Sequence, residues 1–174
     1  TITDVEITST DTPPSGNNLL ADNGDFESGT LGDWQLVFGS NGDVEVSEDA
    51  AYSGNYGIKF DTTNGRAGIS VNETVLPQSL IKEGKKFMLS FQLKRLTTGA
   101  WSGGMSQFIN LNGGWKSSGQ KWFGGTQTGD WQLVEIEFDG LDWPDTQTLF
   151  EVNLMTPGHV WYADDFTLED ITPE

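Results

Sequence analysis

Three tryptophans lie close together in surroundings that give them little to pack against: Trp101-Ser102-Gly103-Gly104, Gly113-Gly114-Trp115-Lys116 and Lys121-Trp122-Phe123. Tryptophan offers a flat apolar face with an N–H at its edge, which serves either a core or a stacked ligand. Glycine supplies no side chain for an indole to pack on. Trp115 is therefore expected to be a stacking platform, with Trp122 and then Trp101 beside it. A second group of residues points to other chemistry. Asn23-Gly24-Asp25-Phe26-Glu27 sets oxygen ligands around one phenylalanine. In the run Val160 to Leu168, strict alternation places Asp164 on the same side as Phe166 and Leu168. A carboxylate on a core face is costly unless it is paired, hydrogen-bonded or bound to metal. A hard cation held by oxygens, Ca²⁺ before others, would resolve that burial if the first and last strands lie side by side. A hydrogen-bond network, or a strand end open to solvent, would resolve it equally well.

The usual catalytic kits are nearly empty. The chain has no cysteine, which removes disulfides, thiolate metal sites and cysteine nucleophiles. Its single histidine, His159, sits in a Pro-Gly-His loop and reads as a surface or rim residue rather than a base. No glycine-rich loop is followed by Lys-Ser/Thr, so phosphate chemistry has no support. Glu135, Glu137 and Glu151 are expected on solvated faces and are the acids from which a glycosidase pair would be drawn. Lys and Arg number 9 against 26 Asp and Glu, a formal charge of −17. That charge argues against nucleic acid, because phosphate binding needs cationic side chains to displace counterions. It also disfavours anionic membranes and polyanionic polysaccharides. No apolar run approaches 18 residues, so no transmembrane helix is expected.

The elements that must carry these residues are strands. Twenty-two glycines in 174 residues disfavour helices, and no segment holds a 3.6-residue period. Strands are expected at 18–20, 34–38, 44–47, 57–60, 68–72, 87–95, 107–111, 132–138, 148–154 and 160–168. The Asn-Gly pairs at 23–24, 41–42, 64–65 and 112–113 read as the turns between them. Short, evenly spaced strands predict an all-β fold: two antiparallel sheets in a β-sandwich, most simply a jelly roll. Phe87, Leu89, Phe91 and Leu93 should face inward, as should Val134, Ile136 and Phe138, and Phe150, Val152 and Leu154. Gln92, Lys94, Glu151 and Asn153 are then expected together on a solvated face. Residues 1–16, rich in Thr, Ser, Asp and Pro, read as a linker or the tail of a preceding domain, with one module over 17–174.

The order Asn18-Leu19-Leu20, Asn23-Gly24-Asp25-Phe26-Glu27-Ser28-Gly29, Trp34, Ala51 to Lys59, Asp130-Trp131-Gln132 and Trp161 to Leu168 resembles carbohydrate-binding modules of the family 4/9/22 kind. The resemblance runs from about Asn18 to Asp170. It implies a jelly roll with a structural Ca²⁺ where the first and last strands meet, held by Asp25, Glu27 and Asp164, with the turn at Ser53 adding a ligand. It also implies a cleft for a glycan chain, with Trp115 and Asn153 at cleft positions and Trp34, Trp131 and Trp161 as framework. Trp143 is read as a loop anchor. Arg66 stands where some xylan-binding relatives carry an aromatic, so xylan is placed after β-glucan. The expected ligand set is Trp115, Trp122, Trp101, Gln92, Asn153, Glu151 and Arg66. The function so implied is a secreted, monomeric, non-catalytic module that holds a neutral β-linked polysaccharide for an attached glycoside hydrolase. A glycan-active enzyme and a structural sandwich without a sugar site are the alternatives.

Overall fold

The computed structural model describes residues 18–112, 114–144 and 147–174. The expected linker over 1–16 and the Asn112-Gly113 turn lie outside, or partly outside, the described residues. Among those described, the strands form two antiparallel sheets. The six-stranded sheet runs β1 (Gln35–Leu36), β4 (Ala67–Asn72), β10 (Thr148–Leu154), β6 (Ser102–Asn110) and β7 (Lys116–Ser117), with β8 (Lys121–Gly125) also on β6. The five-stranded sheet runs β2 (Asp43–Ser47), β3 (Gly57–Asp61), β11 (Val160–Asp170), β5 (Lys86–Arg95) and β9 (Trp131–Asp139). The inward faces are those that alternation dictates, and phenylalanines join the layers. Phe91 of one sheet meets Phe123 of the other edge-on at 5.1 Å, while stacking on Phe166 at 4.7 Å. Phe108 contacts Phe138 across the layers at 5.4 Å and Phe150 beside it at 4.8 Å.

The first and last segments do lie side by side. Asn18 bridges Glu169, and the Leu19 N–H donates to the Leu168 carbonyl at 2.8 Å. Gly24 makes this junction possible, since a Cβ there would sit 1.8 Å from the Phe166 carbonyl oxygen. This Asn-Gly pair and Asn41-Gly42 therefore serve close backbone approach, whereas Gly65 (φ +137°) has the left-handed geometry of a turn.

Three expectations are corrected. Gln92 and Lys94 do not share a face with Glu151 and Asn153, because β5 belongs to the five-stranded sheet and β10 to the other. Alternation assigns residues to the faces of one strand but is silent on which sheet the strand joins. The parity argument for Asp164 also fails. Register slips between Asp164 and Thr167, and Asp165 takes a left-handed φ of +53°. That bulge lets Ala163 and Phe166 both face the core, while Asp164 pairs with Gln92 on the outer side. Finally, β7, β8 and the first half of β6 are strands that the sequence pattern does not predict, because glycine and serine leave no alternation to see.

Gly103 and Gly124 face each other across β6 and β8, and a Cβ on Gly103 would lie 2.0 Å from the Phe123 carbonyl oxygen. Gly103→Ala must push the strands apart. The expected loss is about 1–3 kcal/mol, a melting temperature lower by roughly 2–4 °C per kcal/mol in a chain this size. An unchanged thermal melt would show that the two backbones are not so close.

Candidate functional site

The outer face of the six-stranded sheet gathers most of the residues singled out in the sequence. Register sets Asn153 opposite Gly68 on β4 and Met105 on β6, and Met105 opposite Trp122 on β8. The next row aligns Gln35, Ser70, Glu151 and Gln107. A polar chain runs across this floor. The Ser117 hydroxyl donates to Gln107 Oε1 in a short hydrogen bond, and Gln107 Nε2 donates to Glu151 Oε1 at 2.6 Å. Burial raises the pKa of Glu151, against the lowering effects of the Gln107 hydrogen bond and the Arg66 charge. Arg66 is clamped at the β4 end, where its Nε and Nη2 donate to the carbonyls of Gly39 and Phe38 at 3.3 and 3.2 Å.

The floor is closed rather than solvated: Asn153 is 0%, Gln107 1% and Glu151 5% exposed. Among the described residues, both polar atoms of the Asn153 side chain lack a hydrogen-bond partner. An orphaned buried amide is destabilising, by about 1–3 kcal/mol for each unmet group, and a hydroxyl-bearing ligand would satisfy it. The indoles, in contrast, are open. Trp115, Trp122 and Trp101 are 63%, 53% and 50% exposed. Phe38, read in sequence as the end of a strand, is 98% exposed on the turn beside Arg66. The Phe38-Gly39 step was its only sequence signal.

The expected ligand set is thus divided. Glu151, Asn153, Arg66 and Trp122 belong to one sheet face, with Trp101 and Trp115 flanking β6 and β7 of the same sheet. Gln92 lies on the opposite side of the sandwich. There Lys94 sits over the Trp131 ring at 5.7 Å, and Tyr52 meets that ring at 5.3 Å. Glu135 and Glu137 lie on that side too, so neither forms a carboxylate pair with Glu151. Of the expected framework residues, Trp34 and Trp161 are buried and Trp131 is half-buried, while Trp143, the expected loop anchor, packs against the core. His159 is tied to Thr97 Oγ1 at 2.7 Å, and burial and the Arg95 charge lower its pKa.

Of the four expected metal ligands, Ser53 lies in the loop 52–56 and Glu27 and Asp164 hydrogen-bond to that loop, whereas Asp25 is tied only to the Glu27 N–H. Asp164, fully buried, accepts the N–H groups of Tyr52 and Ser53 at 2.8 and 3.1 Å. Glu27 accepts those of Asn55 and Tyr56 at 2.9 and 3.0 Å, which outweighs burial and lowers its pKa. The Ser53 hydroxyl donates to Asp165, and Asp25 takes the Glu27 N–H at 3.0 Å. The donor set is all oxygen, as a hard cation requires. Among the described residues, however, no three acidic or histidine side chains converge as a ready metal cage. The group that a cation would relieve is Asp164, pushed up to about 7 by burial and by its neighbour Asp165, against its N–H donors.

No protein-family model matches the chain, and no curated protein matches it. Solved structures do. A family 16 carbohydrate-binding module is 24% identical with a TM-score of 0.62, covering 87% of this chain and 99% of that one. The CBM22-1 xylan-binding domain of Paenibacillus barcinonensis Xyn10C is 15% identical, with a TM-score of 0.63 over 87% of this chain and 94% of that domain. The C-terminal family 22 module of Clostridium thermocellum Xyn10B is 13% identical, with a TM-score of 0.63 over 93% and 100%. The chain therefore has the jelly-roll fold of carbohydrate-binding modules.

The raised pKa of Asp164 fixes the sign of a pH effect. A folded-state value of about 7, above the ordinary 3.8, means that the native state holds the proton more tightly. This contribution to stability is complete below pH 3.8 and is lost as pH rises through 7. In chelated protein the melting temperature should fall across that window, and Asp164→Asn should flatten this part of the profile. A profile identical in both proteins would remove Asp164 as the titrating group.

Proposed function

We propose that this chain is a non-catalytic carbohydrate-binding module for a neutral β-linked polysaccharide, β-glucan before xylan or mannan. The observation that carries the reading is the set of exposed indoles beside a polar floor whose Asn153 amide has no partner. Sugars present apolar C–H faces that stack on aromatic rings and hydroxyls that pair with planar polar groups, and this face offers both. Because Asn153 is fully buried, a sugar reaches its amide only when the neighbouring side chains move aside. The −17 charge favours a neutral glycan. The separation of Glu135 and Glu137 from Glu151 favours binding over hydrolysis. The module is read as secreted and monomeric, working for a covalently attached glycoside hydrolase, and not as a binder of nucleic acid or membrane.

Titration calorimetry against β-1,3-glucan, mixed-linked glucan, xylan, cellulose fragments and mannan tests this. Trp115→Ala and Trp122→Ala should each lose on the order of 1–3 kcal/mol and remain folded, with affinity nearly independent of salt. Binding to alginate that collapses with salt would overturn the neutral-glycan assignment. Turnover of any of these glycans would make the protein an enzyme, and folded protein that binds none would leave a structural sandwich.

The same reading includes a structural Ca²⁺ at the loop 52–56, with Asp164, Asp25, Glu27 and Ser53 as its ligands. It is supported by the burial of Asp164 beside Asp165 and by the all-oxygen surroundings. A cation bound only by the native state raises the melting temperature by mass action. Chelation should therefore lower the melting temperature, added Ca²⁺ should restore it, and Asp164→Ala should abolish the response. A melting curve indifferent to chelator and to Ca²⁺ would leave the N–H donors of Tyr52, Ser53 and Asp165 as the whole answer to Asp164.

A further inference from the structure

At the β1–β4 edge of the same sheet lies an open cavity of about 250 Å³, lined by Gly32, Asp33, Gln35, Asn72, Thr74 and Val75. It stands at the end of a cross-strand row. Gln35 is opposite Ser70, Ser70 opposite Glu151, and Glu151 opposite Gln107. Asn72 lies one row further on, opposite Leu149. From β1 across β4, β10 and β6 to β7 is four strand spacings, about 19 Å, the length of a short oligosaccharide. A chain lying across the floor from the Trp115 side would leave the sheet here.

The lining is suited to hydroxyls. Asn72 Oδ1 accepts the Thr74 N–H at 2.9 Å, which orients the amide and leaves its Nδ2 donors unused. Asp33 is anchored through its backbone N–H to Asn23 Oδ1 at 3.2 Å. Among the described residues, neither the Asp33 carboxylate nor the Gln35 amide has a side-chain hydrogen bond or ion pair. A carboxylate acceptor, two amides and a hydroxyl complement the vicinal hydroxyls of a pyranose. Among the described residues no cationic group lines the cavity, and the Asp33 carboxylate would repel a phosphate, sulfate or uronate. No aromatic ring among the described residues lines it either, so a sugar here is held by hydrogen bonds, with Val75 as its apolar contact.

We propose that this cavity is a terminal subsite that takes one neutral pyranose unit of the glycan chain, through Asp33, Gln35 and Asn72. The inference rests on the glycan-binding reading above and adds a position outside the tryptophans and the closed floor. The test is calorimetry with cello-, laminari- and xylo-oligosaccharides of two to six units, on wild-type protein, Asp33→Ala, Gln35→Ala and Asn72→Ala. Thermal melts verify that each variant is folded. Wild-type affinity should climb with length to a plateau. Asp33→Ala and Gln35→Ala should lower the affinity of the longest binding ligand about threefold to tenfold, the worth of one or two hydrogen bonds, and leave the shortest unchanged. Asn72→Ala should behave alike, with Gln35→Ala deciding if loss of the Thr74 contact unfolds that turn. Equal losses at every length, or none at any length, would overturn the subsite while the glycan-binding reading stands. Wild-type protein that binds no oligosaccharide or polysaccharide would overturn both.

Discussion

A single left-handed residue in β11 governs much of the arrangement. Asp165, at φ +53°, inserts one extra residue into the central strand of the five-stranded sheet. Because side chains alternate with period two, such a slip reverses the facing of everything beyond it. Trp161 and Ala163 point inward before the bulge, and Phe166 and Leu168 after it. Phe166 thereby reaches Phe91, Trp34 and Phe26, which ties the opening segment to the core. Asp164 is turned to the outside, where its carboxylate draws the loop 52–56 down over the sheet. Without the bulge, either Phe166 would lose its stack or Asp164 would enter the aromatic core.

The two outer faces of the sandwich have diverged accordingly. On the five-stranded sheet the pinned loop brings Tyr52 to Trp131, and a cross-strand row runs from Glu45 and Lys59 through Tyr162 to Lys94. On the six-stranded sheet, glycines at 103 and 104 allow neighbouring backbones to close in on β6 from both sides. That close approach carries β8 and its Trp122 to the face holding Asn153. Scarcity of side chains in the strand and exposure of the indole thus share one cause.

The parts of this fold legible in sequence were those set by period two within one strand. The inward faces of β5, β9 and β10 follow directly, and 148–154 has the bounds expected. What could not be read was set between strands. Gln92 and Glu151 occupy equivalent outward positions, yet nothing near either residue says that their strands belong to different sheets. The Asp164 argument used the right rule on a strand that breaks it. Its conclusion that a buried acid needs partners held, and its hydrogen-bond partners are the amides of Tyr52, Ser53 and Asp165. Likewise Asn153 and Glu151 were legible as outward-facing polar groups. Their closure to solvent depends on the side chains of neighbouring strands, which the pattern within one strand does not encode. Phe38 was missed because an aromatic ending a β-like run looks the same in sequence whether it enters the core or leaves it.

The pairing of Asn18 with Glu169 has a mechanical meaning. The two segments are antiparallel neighbours, so the chain preceding Asn18 and the chain following Glu169 depart from the same end of their shared ladder. Tension applied between these points would load the Leu19–Leu168 bond and the Asn18 side-chain bond to Leu168 one after another, as in opening a zipper, and not all at once in shear. Resistance to stretching would then pass to the Phe26–Phe166 contact just behind them. The outermost ladder would yield to modest force while the sheets behind it stay closed.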